Sequence, residues 1–164
     1  VSRVPPGDSL PRWVCDECGE IHYQNPRLIL GTIPEHQGRI LLCRRAIEPR
    51  YGYWTMPSGF MEADESAEEG ARREAREEAR AEIELEELLG VYSVARIGQV
   101  HLIWRAKLAS EFSPGPESLE VKLFSWDEVP WDALAFPTVK WALTHYHEPR
   151  GRSGFAPFRA PLRG

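Results

Sequence analysis

The stretch from Gly59 to Ala81, GFMEADESAEEGARREAREEARA, constrains this chain more than any other. Gly59 is followed six positions later by Glu65, and eight further on by Arg73-Glu74-Ala75-Arg76-Glu77-Glu78. On a helix with a 3.6-residue repeat, Glu74, Glu77 and Glu78 stand at i, i+3 and i+4 and share one face. Three like charges that close repel one another, and a hard divalent cation such as Mg²⁺ reconciles them. Asp64 or Ser66 can cap this helix, and Ala67, Ala71, Ala75 and Ala79 form a small-residue stripe that lets it lie close against a sheet. Runs rich in Ala, Glu and Arg also form solvated helices laced with ion pairs. Such a helix, however, needs neither the Pro57-Ser58-Gly59 turn nor the separate acid at 65.

Around the helix the chain reads as strands. Leu28–Ile33 and Arg39–Cys43 are β-rich runs joined by a polar segment containing Gly38, a hairpin signal. Ala46 to Tyr53 is a polar loop. After the helix, Ile83 to Ala95 and Gln99 to Leu108 are strand-like, and a loop rich in Ser, Pro and Gly leads into a half-buried strand at Leu119–Trp126. A last helix is expected over Thr138 to His147, with Val139, Leu143 and Tyr146 inward. The tail from Glu148, punctuated by Pro149, Gly151, Gly154, Pro157 and Pro161, is expected to be extended or to clasp the body without regular structure.

At 164 residues, 42% hydrophobic and 27% charged, the chain is sized for one globular domain. A net charge of −5 does not suggest long-range attraction to nucleic acid. No apolar run approaches the roughly 18 to 20 residues that span a bilayer, and the first residues lack the apolar core of a signal peptide. A cytoplasmic protein without membrane or nucleic-acid partners is the default. Residues 1 to 14 read as an irregular arm leading to Cys15-Asp16-Glu17-Cys18-Gly19, one knuckle of a zinc ribbon. His22 could add a third ligand or belong to a turn. The pair is either a zinc half-site completed by residues before Val1 or a turn without metal. Cys43, in an apolar strand, is a core residue.

Residues 59 to 81 resemble the signature of the Nudix hydrolases, which cleave a nucleoside diphosphate linked to another moiety. Gly59, Glu65, Arg73, Glu74, Ala75, Glu77, Glu78 and Ala81 occupy the signature positions, and Arg80 stands where the family usually has glycine. The segment GYWTMPSGF and the order of elements from Leu28 to Trp126 are also similar to the family. The fold implied is α/β, a Nudix-type α/β/α sandwich with a mixed β-sheet, preceded by a small partial zinc-ribbon-like arm. Residues 1–26 would be that arm, 27–148 the hydrolase domain and 149–164 an extended tail.

The resemblance implies that Glu74, Glu77 and Glu78 hold Mg²⁺ or Mn²⁺, with the Gly59 carbonyl as a further ligand. Glu65 would pair with Arg73 to brace the loop, or join the metal shell. Attack by a metal-activated water on one phosphorus is implied, with Glu77, Glu78 or a loop acid as base. Glu120, just before the LFSW strand, is the loop candidate, and Glu117 is its neighbour. Arg44, Arg50 and the adjacent Arg45 could hold substrate phosphates, and Tyr51, Tyr53 or Tyr92 could stack on a base. His101 reads as a strand histidine, while His145 and His147 suit a helix C-terminus. CDECGEIHYQNPR resembles the second half of the zinc ribbon in a bacterial subgroup that includes ADP-ribose and NADH pyrophosphatases, so Cys15 and Cys18 could bind structural Zn²⁺ in the full-length protein. NADH-preferring members carry a SQPWPFP-like motif that Ser93–Val100 does not match. ADP-ribose is therefore the first choice of small-molecule substrate, giving AMP and ribose 5-phosphate, with FAD or NADH as alternatives. A nucleotide-sensing module with an inactive Nudix-like body is the competing class. Pyrophosphatases of this kind are commonly homodimers.

Overall fold

The computed structural model describes residues 1–148, 154 and 156–159. The N-terminal arm is not irregular. β1 (Ser2–Arg3), β2 (Arg12–Val14) and β3 (Ile21–His22) form an antiparallel sheet in that order, with Ser2 opposite Trp13 and Trp13 opposite His22. Pro5 and Pro6 sit in its first turn, where the Asp8 N–H donates to the Pro5 carbonyl at 3.1 Å. An Asp8–Arg12 ion pair at 2.8 Å ties the returning strand. The Val1 ammonium donates to the Val14 carbonyl, closing the sheet from the other side.

The main body comprises β4 (Arg27–His36), β5 (Arg39–Arg45), β6 (Trp54–Thr55), β7 (Ser58–Phe60), α1 (Ala67–Ala79), β8 (Ile83–Val94), β9 (Gln99–Leu108), β10 (Ser118–Phe124), α2 (Pro137–His147) and β11 (Phe158–Arg159). Its sheet runs β10-β5-β4-β9-β8-β11, with β6 added to β5 and β7 to β4. It is mixed: β4 is parallel to β9 and β11 to β8, and the other pairings are antiparallel. β4 and β5 meet at Gln37-Gly38, both with positive φ (51° and 77°), as a two-residue hairpin twisting with its strands requires.

Side chains that alternate across the strands build a core on each face. On β5, Leu41 and Cys43 pack with Ala79 and Ala81 beneath α1, whereas Ile40 and Leu42 join Val139, Ala142 and Leu143 of α2 on the other side. On β4, Leu30 meets Ala71 of α1 while Ile33 belongs to the α2 core. The result is an α/β/α sandwich. The alanine stripe works as its small side chains predict: Ala71, Ala75 and Ala79 are fully buried, and α1 lies on β4 and β7. Ser66, not Asp64, is the N-cap, and it forms a reciprocal capping box with Glu69.

Two expectations need correction. The strand expected through Trp126 stops at Phe124, because Ser125 and Glu128 cap a short 3₁₀ turn at Trp126–Glu128. The three inward positions expected on the last helix all face the core: Val139 and Leu143 are buried, Tyr146 packs half-buried against them, and Ala142 completes the face. The tail is not wholly irregular. Phe158–Arg159 pairs with Gly90 and Val91 at the outer edge of β8, where backbone groups would otherwise lack sheet partners. The readings made for residues 149–153, 155 and 160–164 lie outside the described residues. Among those described, no helix is long and apolar enough to cross a membrane.

Candidate active site

α1 presents its acids at the end of the sheet where β7, β5 and the loop before β10 converge. Glu74 and Glu78 are only 7% and 8% exposed. The Glu77 side chain, by contrast, is 58% exposed. The Pro57-Ser58-Gly59 turn fixes the buried pair. Ser58 N–H donates to Glu78 Oε2 at 3.0 Å. A Cβ at Gly59 would run into the Glu74 carboxylate, so only glycine leaves that group its place. Burial pushes the Glu78 carboxyl up to about 8, against the pull of the Ser58 N–H and with Glu74 adding repulsion. Burial likewise raises Glu74, and Arg73 opposes the shift.

Arg73 is the hub of the site. Its Nε and Nη2 grip both oxygens of Glu65 at 2.9 and 2.7 Å, and Nη2 also donates to the Phe60 carbonyl at 3.0 Å. Nη1 reaches Glu74 at 2.6 Å and Glu77 at 3.1 Å. Glu65 also accepts the Glu62 N–H at 2.8 Å. Arg73 first, then that N–H, holds the Glu65 carboxyl down at about 2. The geometry is that of a brace, with both Glu65 oxygens engaged.

A cavity of about 220 Å³ opens beside the acids, lined by Glu77, Glu78, Pro116 and Glu117. The loop carrying Glu117 is pinned to the end of α1: Ser113 N–H donates to the Ala79 carbonyl at 2.9 Å and Gly115 N–H to Glu78 at 3.0 Å. A Cβ at Gly115 would strike the Glu77 carbonyl, so this approach also needs glycine. Glu120, expected on the loop, lies inside β10 opposite Arg44, whose Nη1 is 3.9 Å away. The ladder with β5 already starts at Ser118 and shifts register between 118 and 120, which leaves Glu117 as the last loop acid. The Ser-Pro-Gly-Pro run before Glu117 is the sequence signal that places it there.

The other candidates are dispersed. Arg50 donates Nε to the Ala135 carbonyl at 3.0 Å and stacks on Tyr53. Arg44 donates to the Gly52 carbonyl at 2.9 Å. Tyr92 is fully buried with its hydroxyl 2.8 Å from His145 Nδ1, so it is core and not a stacking platform. Tyr51 is exposed. His101 is a buried strand histidine beside Gln99, and His147 stacks on Trp126.

The donor set suits a hard cation: three carboxylates, two of them buried with raised pKa, meet a glycine-built cradle. Among the described residues, though, no three His, Cys, Asp or Glu groups are gathered closely enough to ligate one ion. Arg73 Nη1 instead stands between Glu74 and Glu77. In the ribbon, the N–H groups of Cys18 and Glu17 lower the Cys15 thiol, and the Gly19 N–H returns to the Cys15 carbonyl at 3.0 Å. A structural zinc normally takes four ligands, of which this knuckle could offer two. His22 is exposed and does not complete a group of three.

A sandwich whose acid-bearing helix is braced by an Arg–Glu pair and opens on a small cavity has the architecture of a Nudix domain. The NUDIX domain family model matches residues 26–144, and the Nudix N-terminal zinc-ribbon model matches residues 1–24. The chain belongs to the Nudix hydrolase family, whose members generally use a divalent cation. It is 47% identical to a Nudix hydrolase of Nitrosomonas europaea whose crystal structure superposes with a TM-score of 0.90, covering 97% of this chain and 92% of that one. A MutT-like protein of Streptomyces ambofaciens is 36% identical over 62% of this chain, and the match spans 64% of that relative's length. An ADP-ribose pyrophosphatase from Streptococcus suis shares the fold at 22% identity, with a TM-score of 0.66 over 84% of this chain and 100% of that chain.

Proposed function

We propose that this protein hydrolyses the diphosphate of ADP-ribose, in the presence of Mg²⁺ or Mn²⁺, to AMP and ribose 5-phosphate. The observation that carries the reading is the meeting of Glu77 and Glu78 of α1 with Glu117 across a small open cavity, with Glu74 buried on the same helix. A cation bound by Glu74, Glu77 and Glu78 would neutralise diphosphate charge and make a water more acidic. Arg73 holds Glu74 and Glu77 ready on one side, and Ser58 N–H aims Glu78 from the other. Glu117, exposed at the cavity, is placed to take the proton of the attacking water. The chain pinned by Gly115 and Ser113 keeps Glu117 at a fixed height above the helix end. The choice of ADP-ribose draws on the ribbon-like arm, the unmatched NADH motif and the activity named for the Streptococcus suis neighbour. The same reading takes the protein as a cytoplasmic homodimer, with 1–26 as the arm, 27–148 as the hydrolase domain and 149–164 as the tail.

The test is product analysis. The protein is incubated with Mg²⁺ and, separately, ADP-ribose, FAD, NADH, coenzyme A and nucleoside triphosphates, and products are resolved by chromatography. AMP and ribose 5-phosphate from ADP-ribose, at the highest kcat/KM of the panel, are expected. A clear preference for another substrate overturns the ADP-ribose choice, and silence on all of them favours a nucleotide-sensing module.

A further inference from the structure

The two edges of the main sheet are finished differently. β11 covers β8, whereas β10 pairs with β5 on one side and with no other strand among the described residues. Beyond the ladder with β5, its backbone makes one bond, from Ser118 N–H to the Gly115 carbonyl at 3.1 Å. The outward N–H and C=O groups of residues 119–124 therefore have no partner among the described residues. Such an edge is a template for another strand.

The edge reads Leu119-Glu120-Val121-Lys122-Leu123, apolar at both ends and oppositely charged on either side of Val121. Register with β5 puts Val121 and Leu123 on the α1 face, beside Cys43 and Leu41. Glu120 and Lys122, beside Arg44 and Leu42, take the α2 face. Both charged side chains are exposed, and so is Leu119. Glu120 has only a distant cation of its own, Arg44 at 3.9 Å. Lys122 has no carboxylate within ion-pair distance among the described residues, and its Nζ lies 5.0 Å from the centre of the Phe124 ring.

A second copy laid antiparallel along this edge, with a twofold axis at Val121, sets Glu120 opposite Lys122 of the other copy and Lys122 opposite its Glu120. Leu119 then meets Leu123 on the same face, twice over. Opposite charges and apolar pairs placed directly across a ladder stabilise it, and like charges destabilise it. Sliding the second copy by two residues sets Glu120 against Glu120, or Lys122 against Lys122. One register is thus favoured over its neighbours.

We propose that β10 is a self-pairing edge: two copies join antiparallel through residues 119–123 about a twofold axis at Val121, running their sheets into one. This rests on the homodimer taken above and gives that dimer its interface. The joined segment begins two residues after Glu117, beside the loop that lines the cavity.

The test is sedimentation velocity over a concentration series on wild type, Glu120→Lys, Lys122→Glu and an equal mixture of the two variants, with thermal melts as a check on folding. Wild type is expected to dimerise. Each single variant sets like charges across both symmetry-related pairs and is expected to raise the dimer Kd about tenfold or more. The mixture sets opposite charges at both pairs again and is expected to dimerise within about threefold of wild type. Should Glu120→Lys melt early through repulsion from Arg44, Lys122→Glu decides, together with slower amide exchange at residues 119–123 in the wild-type dimer than on dilution. Dimers indifferent to the single variants, or a mixture no better than either variant alone, overturn this interface and leave the homodimer reading standing. A protein monomeric at every concentration, its Glu120 and Lys122 then only guarding the edge, overturns both. Hydrolysis is read separately, by the product analysis above.

Discussion

Arg80 sits where the signature usually has glycine, and its backbone shows why glycine is usual there. It ends α1 in the left-handed region, at φ 48° and ψ 36°. Arg80 N–H returns to the Arg76 carbonyl and Ala81 N–H to that of Ala75, a left-handed helix closure built on a residue with a Cβ. The left-handed conformation costs an L residue roughly 1–2 kcal/mol. Glycine escapes that cost but loses roughly 0.5–1 kcal/mol more conformational freedom on folding. The Arg80 side chain is exposed and makes no ion pair among the described residues, so little is lost with it. Arg80→Gly should therefore stabilise the protein by about 0.5–1 kcal/mol, a rise in Tm of roughly 1–4 °C for a chain of this size. Arg80→Ala keeps the backbone cost and should melt within about 1 °C of wild type, which separates backbone from side chain. Scanning calorimetry on the three proteins decides, with kcat expected to be unchanged. A Tm for Arg80→Gly at or below wild type would refute the argument that residue 80 carries backbone strain.

Gly59→Ala places a methyl group against the Glu74 carboxylate, the free end of a flexible side chain, and should turn that group aside and lower activity at least about tenfold; wild-type kinetics would count against the cradle. Gly115→Ala meets the Glu77 carbonyl and should cost about 1–3 kcal/mol, with loss of activity as Glu117 shifts; an unchanged Tm would show that the loop is not pinned there. Glu65 is held down at about 2 by Arg73, so its contribution is present above its ordinary value near 4.5 and is lost as pH falls toward 2. Acid titration of the Tm between those values should therefore fall more steeply for wild type than for Glu65→Gln, and parallel curves would contradict the brace.

The central helix was legible because its chemistry is local. Spacing alone puts Glu74, Glu77 and Glu78 on one face, and the alanine stripe marks the buried side of the helix, which Glu74 and Glu78 share. The hairpin at Gly38 and the long strands β8 and β9 were legible from period and turn residues. What escaped depends on partners far away in the chain. The arm looked irregular because its prolines are visible and its cross-strand pairing is not. The strand at Phe158 forms only because the β8 edge is there to receive it. Glu120 and Glu117 differ by three residues and by a single register shift against β5, which no property of the segment itself reveals. The Ser58 N–H on Glu78 is a contact across 20 residues, although the Pro-Ser-Gly turn marked its location.

The acids of α1 are the proposed working groups of a cation-dependent diphosphatase. The most direct test is the rate of AMP release from ADP-ribose in Mg²⁺, measured on wild type and on Glu77→Gln. The exposed Glu77 can be changed with little disturbance of the core. Wild type is expected to release AMP only while Mg²⁺ is present, and Glu77→Gln, melting as wild type does, to be slower by about a hundredfold or more, on the order of 3 kcal/mol of transition-state stabilisation. AMP release by Glu77→Gln at the wild-type rate would contradict that role for the acids.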